Sequence, residues 1–156
     1  MIEKYKPQIC IVCFANFCRS PVAEIILNNL YGDKFNFFSA GIQPLPKAGM
    51  DSRSKNFLSS KNYKFSIHSP KKINKNLFKG SDLVYAIDFE ILAMLNKTFP
   101  NSSSKIKLFK ASSKNTFLPD PFRSSQEEYE KVMESIELIC KEIGLELSSK
   151  MIEKNT

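Results

Sequence analysis

The sequence predicts an α/β fold: a single doubly wound domain whose four-stranded parallel sheet is flanked by helices on both faces. Two observations carry this. Short apolar, β-rich runs alternate with segments of helical periodicity from end to end, and such alternation gives a parallel sheet covered by helices. The chain has 156 residues, 42% of them hydrophobic, with no repeat and no long linker, which suits one domain spanning 1–156 with its core at about 8–147.

The elements follow in order. Gln8–Cys13 is a short apolar run with β-branched residues and reads as a buried strand. Ser20-Pro21 starts a helix, with Ser20 as cap and Pro21 at the first helical position. Glu24 then falls in the first turn, and Val22, Ile25, Ile26 and Leu30 make the apolar face. Phe35–Ala40 is a second strand, ended by Gly41, Pro44 and Pro46. Asp51 caps a helix over 52–60 that buries Phe57 and Leu58. Leu83–Ile87 is the third strand, and Asp88 caps a helix through Phe99. Ile106–Phe109 is the fourth strand, and 110–125 is a polar loop holding Pro119 and Pro121. Gln126–Leu147 is a helix whose stripe runs Tyr129, Val132, Met133, Ile136, Ile139, Cys140, Ile143, Leu147.

Composition narrows the function classes. The longest apolar run falls far short of the roughly 18 residues of a membrane span, and no apolar segment follows the charged N-terminus, so no signal peptide is expected. Three of four cysteines crowd into nine positions, unlike a secreted disulfide frame, so a reducing cytoplasm is expected. Residues 1–125 hold 19 Lys/Arg against 8 Asp/Glu, whereas 126–149 hold two Lys against seven Glu. A basic body favours anionic partners. Only three of the chain's 23 basic residues are Arg, which argues against nucleic-acid readout. A solvated lysine surface accounts for the rest.

In open α/β sheets ligands bind beyond the carboxyl ends of the strands. That points at the loop after the first strand: Val12-Cys13-Phe14-Ala15-Asn16-Phe17-Cys18-Arg19-Ser20-Pro21. Cys13 and Arg19 lie six apart, before a helix start. Five intervening residues can wrap a tetrahedral oxyanion in backbone N–H groups, and the helix N-terminus adds donors and a positive dipole end. A guanidinium grips two phosphoryl oxygens in a fork. The same positive field favours a thiolate, the nucleophilic form of cysteine. Ser20 can donate to that sulfur. Attack on a phosphate ester needs a proton donor for the leaving oxygen. Asp120, stiffened by Pro119 and Pro121, is the candidate.

These residues resemble the signature of the low-molecular-weight protein tyrosine phosphatases. The resemblance runs through Val12–Pro21, Ala23-Glu24, Ser39-Ala40-Gly41, Ser81–Asp88 and Asp120-Pro121, nearly the whole chain. It implies hydrolysis of phosphotyrosine in proteins, and of small aryl phosphates, through a phosphocysteine, with no metal and no cofactor. It implies Cys13 as nucleophile, Arg19 as phosphate clamp and Asp120 as acid, then base. Phe14, Ala15, Asn16, Phe17 and Cys18 would form the phosphate loop, supported by Ser20, Ser39 and His68, the only histidine. Asn16 suits a left-handed position.

Departures from the family pattern sharpen the expectations. Ala15 replaces a glycine and strains the loop only if its φ is positive. Phe17 replaces a modest aliphatic and lines the pocket mouth. Leu45 is the apolar stand-in for a missing aromatic wall. Phe122-Arg123 replaces tyrosines, and Phe122 can flank an aromatic ring.

Three alternatives stand beside this reading. A thioredoxin-coupled arsenate reductase needs two further downstream cysteines, and none lies between Cys18 and Cys140. A phosphoarginine phosphatase carries a small polar residue where Phe17 stands; Phe17 crowds a guanidinium and suits a phenyl ring. A non-enzymatic anion-binding, redox or zinc module finds no support in Cys10-Ile11-Val12-Cys13, because strand alternation turns Cys10 and Cys13 to opposite faces. Cys18 is the expected disulfide partner of Cys13 under peroxide, since a loop curled round one anion brings the two sulfurs close.

Overall fold

The computed structural model describes residues 2–45, 47, 49–111 and 118–154. Pro46 and residues 112–117 of the expected polar loop lie outside the described residues. Four strands, β1 (Gln8–Cys13), β2 (Asn36–Gly41), β3 (Leu83–Ala86) and β4 (Ile106–Leu108), form one parallel sheet in the order β2-β1-β3-β4. The helices are α1 (Arg19–Tyr31), α2 (Ser52–Ser60), α3 (Lys75–Lys79), α4 (Phe89–Thr98) and α5 (Gln126–Lys154), with a 3₁₀ segment at Pro100–Lys105. The sheet flanked by helices is the predicted α/β fold.

Central β1 is apolar on both faces because both are covered: Ile9, Cys10, Ile11 and Val12 are all buried. From β1 the chain goes to β2 on one side and later to β3 on the other. The loop after Cys13 therefore opens where the strand order reverses, the usual ligand crevice of such sheets. The neighbours there are small: Ala40 and Ala86 beside Val12, and Gly41 beside Cys13.

α1 packs on β1 and β2 and against α5, while α4 packs on β3 and β4. The buried face of α1 is Arg19, Ser20, Val22, Ala23, Ile26 and Leu27. Leu30, expected on that face, is exposed, and Leu27 takes its place. Two more expectations about α1 are corrected. The helix begins at Arg19 with Cys18 at its cap and no side-chain cap bond. Ser20 is not the cap because its hydroxyl is used inside the loop. With the start two residues earlier, Glu24 lies in the second turn, where the dipole contributes little; its partners are across the fold.

Asp51 caps α2, accepting from Arg53 N at 2.8 Å, and Asp88 caps α4, accepting from Ile91 N at 2.9 Å. β2 runs one residue later than expected, and β3 and β4 end one residue sooner. α3 was not foreseen: Asn74 caps it, and its Phe78 stacks on Phe99 with ring centroids 3.9 Å apart. α5 continues past Leu147 to Lys154, aided by Met151 against the core and a Lys150–Glu146 pair one turn apart.

Gly144, mid-way along α5, lets α1 come close. A Cβ built there would lie 1.9 Å from the Tyr31 ring, whose hydroxyl donates to Lys141 O. Gly144→Ala gains roughly 1 kcal/mol in helix propensity, yet it displaces that ring, at a cost of about 1–3 kcal/mol. The expected outcome is a lower melting temperature, converted to a neutral or stabilising effect in a Tyr31→Ala background. Equal effects in both backgrounds would remove the contact from the account.

Candidate active site

The loop between β1 and α1 is held by its carbonyls. Ile42 N donates to Cys13 O (3.1 Å), Gln43 N to Phe14 O (2.8 Å) and Leu45 N to Ala15 O (3.4 Å). His68 Nε2 donates to Asn16 O (2.7 Å), Asp51 N to Phe17 O (3.1 Å) and Ser54 Oγ to Cys18 O (3.1 Å). No peptide bond among the described residues is cis. In a trans unit C=O and N–H point opposite ways, so six carbonyls fixed outward turn the N–H groups of residues 14–19 to the inner side. The uncapped N-terminus of α1 continues that row of donors, with its dipole behind them.

Turning six peptide planes one way needs a reversal, and Asn16 supplies it with φ +52°. Ala15 is not at positive φ, so its methyl carries none of the strain considered above. Gly41 is needed for the close approach: a Cβ there would lie 2.8 Å from Phe14 O and 2.9 Å from Asn16 N, both backbone.

Behind the loop lies a directed polar network. Asn16 Nδ2 donates to Ser20 Oγ and Ser39 Oγ, both at 2.9 Å, and Asn16 Oδ1 accepts from Lys71 N at 3.0 Å. Having accepted, each hydroxyl donates onward. Ser39 Oγ donates to Glu24 Oε2 at 3.0 Å. Ser20 Oγ lies 2.9 Å from Cys13 Sγ, nearer than its alternative acceptor Ala40 O at 3.5 Å. A thiolate at Cys13 thus meets a donor already polarised from behind. Since a carbonyl only accepts, His68 carries its proton on Nε2, leaving Nδ1 4.0 Å from Glu24. Burial lowers the His68 pKa and raises that of Glu24.

Arg19, buried to 3% exposure, is fixed by one nitrogen: Nη1 donates to Asp88 Oδ2 at 2.8 Å and to Leu118 O at 3.0 Å. Cys13, Arg19 and Asp120 line one cavity of about 480 Å³, together with Phe14, Ala15 and Cys18. Its mouth is Phe17, Leu45 and Phe122, and the rings of Phe17 and Phe122 meet edge to face at 5.9 Å. Asp120 is exposed, and its Oδ1 accepts from Phe122 N at 3.2 Å. Burial pushes the thiols of Cys10 and Cys18 up to about 12, and that of Cys140 well up, so these three stay protonated at neutral pH.

Of the residues singled out in the sequence, Cys13, Phe14, Ala15, Phe17, Cys18, Arg19, Leu45, Asp120 and Phe122 line this cavity, whereas Asn16, Ser20, Ser39 and His68 lie in the network behind the loop. Gln43 and Pro44 also line the cavity, but nothing in their type marked them. Asp88 and Gly41 were visible as a helix cap, a strand end and parts of the family resemblance, without a role at this loop. Arg53 gave no signal at all.

A strand–loop–helix cradle of inward-turned N–H groups, with Cys13, Arg19 and Asp120 on one cavity, is the arrangement an oxyanion-binding site requires. Residues 8–154 match the family described as low molecular weight phosphotyrosine protein phosphatase. The chain is 30% identical over 142 residues to the low molecular weight protein-tyrosine-phosphatase Etp of Escherichia coli K12, covering 90% of this chain and 95% of that one. The tyrosine phosphatase Wzb from Escherichia coli K30, solved in complex with sulphate, superposes with a TM-score of 0.84 at 25% identity, over 92% of this chain and 99% of that one. The YwlE arginine phosphatase from Geobacillus stearothermophilus shares the fold, with a TM-score of 0.87 at 23% identity, over 94% and 96%. The chain belongs to the low molecular weight phosphotyrosine protein phosphatase family.

The buried imidazole gives a pH-dependent stability. The folded pKa of His68 is lowered, so its contribution is complete above the unfolded value of about 6.5 and is lost as pH falls toward the folded value. Glu24, whose pKa burial raises, acts with the opposite sign, its stabilisation being lost as pH rises through its folded pKa. Denaturant unfolding at pH 7.5 and 5.5 should show a larger loss for the wild type than for His68→Gln. Parallel losses would exclude the linkage.

Proposed function

We propose that this chain, as one domain over 1–156, hydrolyses phosphotyrosine in proteins, and small aryl phosphates, through a phosphocysteine. The observation that carries the reading is the single cavity joining Cys13, Arg19 and Asp120 beneath the Phe17–Phe122 pair. A phosphate dianion enters the ring of N–H groups. The Cys13 thiolate attacks phosphorus in line while Arg19 and the loop N–H groups hold the equatorial oxygens. The P–O bond breaks as Asp120 protonates the phenolic oxygen. The Asp120 carboxylate then takes a proton from water, which attacks phosphorus and breaks the P–S bond. Ser20 donates to the departing sulfur, and phosphate leaves.

The edge-to-face aromatic pair favours a phenyl ring over a guanidinium, which supports tyrosine against the arginine-phosphatase alternative. The arsenate-reductase alternative lacks a relay thiol: Cys140 is fully buried on the stripe of α5. Phosphate and related oxyanions are the expected inhibitors, and phosphotyrosine proteins the expected partners. No helix among the described residues is long and apolar enough to cross a membrane, and a cytoplasmic site of action fits the free cysteines.

Cys13→Ser should abolish turnover of 4-nitrophenyl phosphate with the circular dichroism spectrum kept. Arg19→Lys should lose more than about tenfold in kcat/KM, because an ammonium has no planar fork. Asp120→Asn should cost phenyl phosphate far more than 4-nitrophenyl phosphate, whose phenolate leaves without a proton. Equal losses on the two substrates would give Asp120 a structural role.

The same site is redox-sensitive in this reading. Peroxide oxidises the Cys13 thiolate to a sulfenic acid, releasing hydroxide. The Cys18 sulfur then attacks that sulfur as its thiol proton passes to the departing hydroxyl, water leaves, and a disulfide forms. Dithiothreitol should restore activity to the wild type, with the Cys13–Cys18 peptide found by mapping. Full recovery of Cys18→Ser after the same treatment would dismiss the disulfide.

A further inference from the structure

We propose that Arg53 is the positioning residue of the general acid, a role that rests on the assignment of Asp120 above. Asp120 is exposed, and residues 118–125 form no helix or strand, so its place on the cavity it shares with Cys13 must be imposed from outside that segment. One guanidinium gathers the carbonyls that follow it. Arg53 Nη2 donates to Phe122 O at 2.8 Å and Pro121 O at 3.4 Å, and Nη1 donates to Ser124 O at 2.9 Å. Its Cζ sits 4.0 Å above the centre of the buried Tyr129 ring, which fixes the plane of the fork.

Arg53 also reaches the phosphate loop. Its Nε is 3.6 Å from Asp51 Oδ1. Asp51 in turn holds that loop, with its N–H on Phe17 O and its Oδ2 3.6 Å from Cys18 Sγ. A single charged side chain on the first turn of α2 thus spans the loop that carries the acid and the residue that shapes the anion cradle. Three carbonyls at one fork demand a planar, multiply donating cation; lysine supplies a point charge with fewer directed donors. The effect is geometric: Arg53 touches neither substrate nor Asp120, and it acts by fixing the distance from carboxyl to leaving oxygen.

The test uses the full chain with phenyl phosphate, which needs the acid, and 4-nitrophenyl phosphate, which does not. Arg53→Met should lower kcat for phenyl phosphate by about tenfold or more, and for 4-nitrophenyl phosphate by less than about threefold. Competitive inhibition by inorganic phosphate should stay within about twofold of wild type. Added to Asp120→Asn, Arg53→Met should cost little further on either substrate, because the group it positions is gone. Arg53→Lys should recover part of the phenyl phosphate rate, and it carries the same comparison if Arg53→Met does not fold. Equal losses on both substrates, or full multiplication of the losses in the double variant, would overturn the proposal. If Asp120→Asn alone fails to distinguish the substrates, the acid assignment falls first. If it distinguishes them and Arg53→Met does not, the positioning role alone falls.

Discussion

Six peptide carbonyls in a row, Cys13 to Cys18, each bonded away from the cavity, are the constraint on which this structure depends. A chain left to itself satisfies its carbonyls and amides alike, in a helix or a ladder. Here the carbonyls are satisfied from outside and the amides face the anion site. The donors come from the end of β2 and the loop after it, from α2 and its cap, and from the segment carrying His68. No one element could shape the loop alone. The rest of the fold exists, from the loop's point of view, to bring these donors to one end of the sheet.

This arrangement explains residues that have no chemistry of their own. Gly41 is small because Phe14 and Asn16 backbone atoms occupy the place of its side chain. Asn16 is a residue that tolerates a left-handed turn and also supplies three side-chain hydrogen bonds. Asp88 caps α4 with one oxygen and holds Arg19 with the other. The capping carboxylate therefore ties the third strand's exit to the phosphate clamp.

Much of this was legible in the sequence. The strands declare themselves as short runs rich in aliphatic or aromatic residues, and capped helices declare themselves through Asp51 and Asp88. Cys13, Arg19 and Asp120 stood out because their chemistry is rare in combination. The misreadings have physical causes. Ser20-Pro21 is a strong start signal in isolation, but tertiary structure gives the Ser20 hydroxyl to Cys13 and the helix starts earlier. α3 is too short to show a period. Leu30 matched the period as well as Leu27 did, but the packed helix buries Leu27 and leaves Leu30 exposed. Arg53, Gly41 and Gln43 act through backbone atoms of distant segments, and no local pattern encodes such contacts.

The Tyr31–Gly144 contact has a consequence for the anion site at the other end of α1. A helix of 13 residues is a rod of about 18 Å, anchored at one end by the loop after Cys13 and at the other by the Tyr31 ring against α5. Turning that rod by about 3° would carry its N-terminal amides roughly 1 Å off line, a displacement able to cost an active site on the order of a hundredfold in rate. Gly144 bears no functional group, yet as the bearing for the far end of the lever it sets where the donors aim.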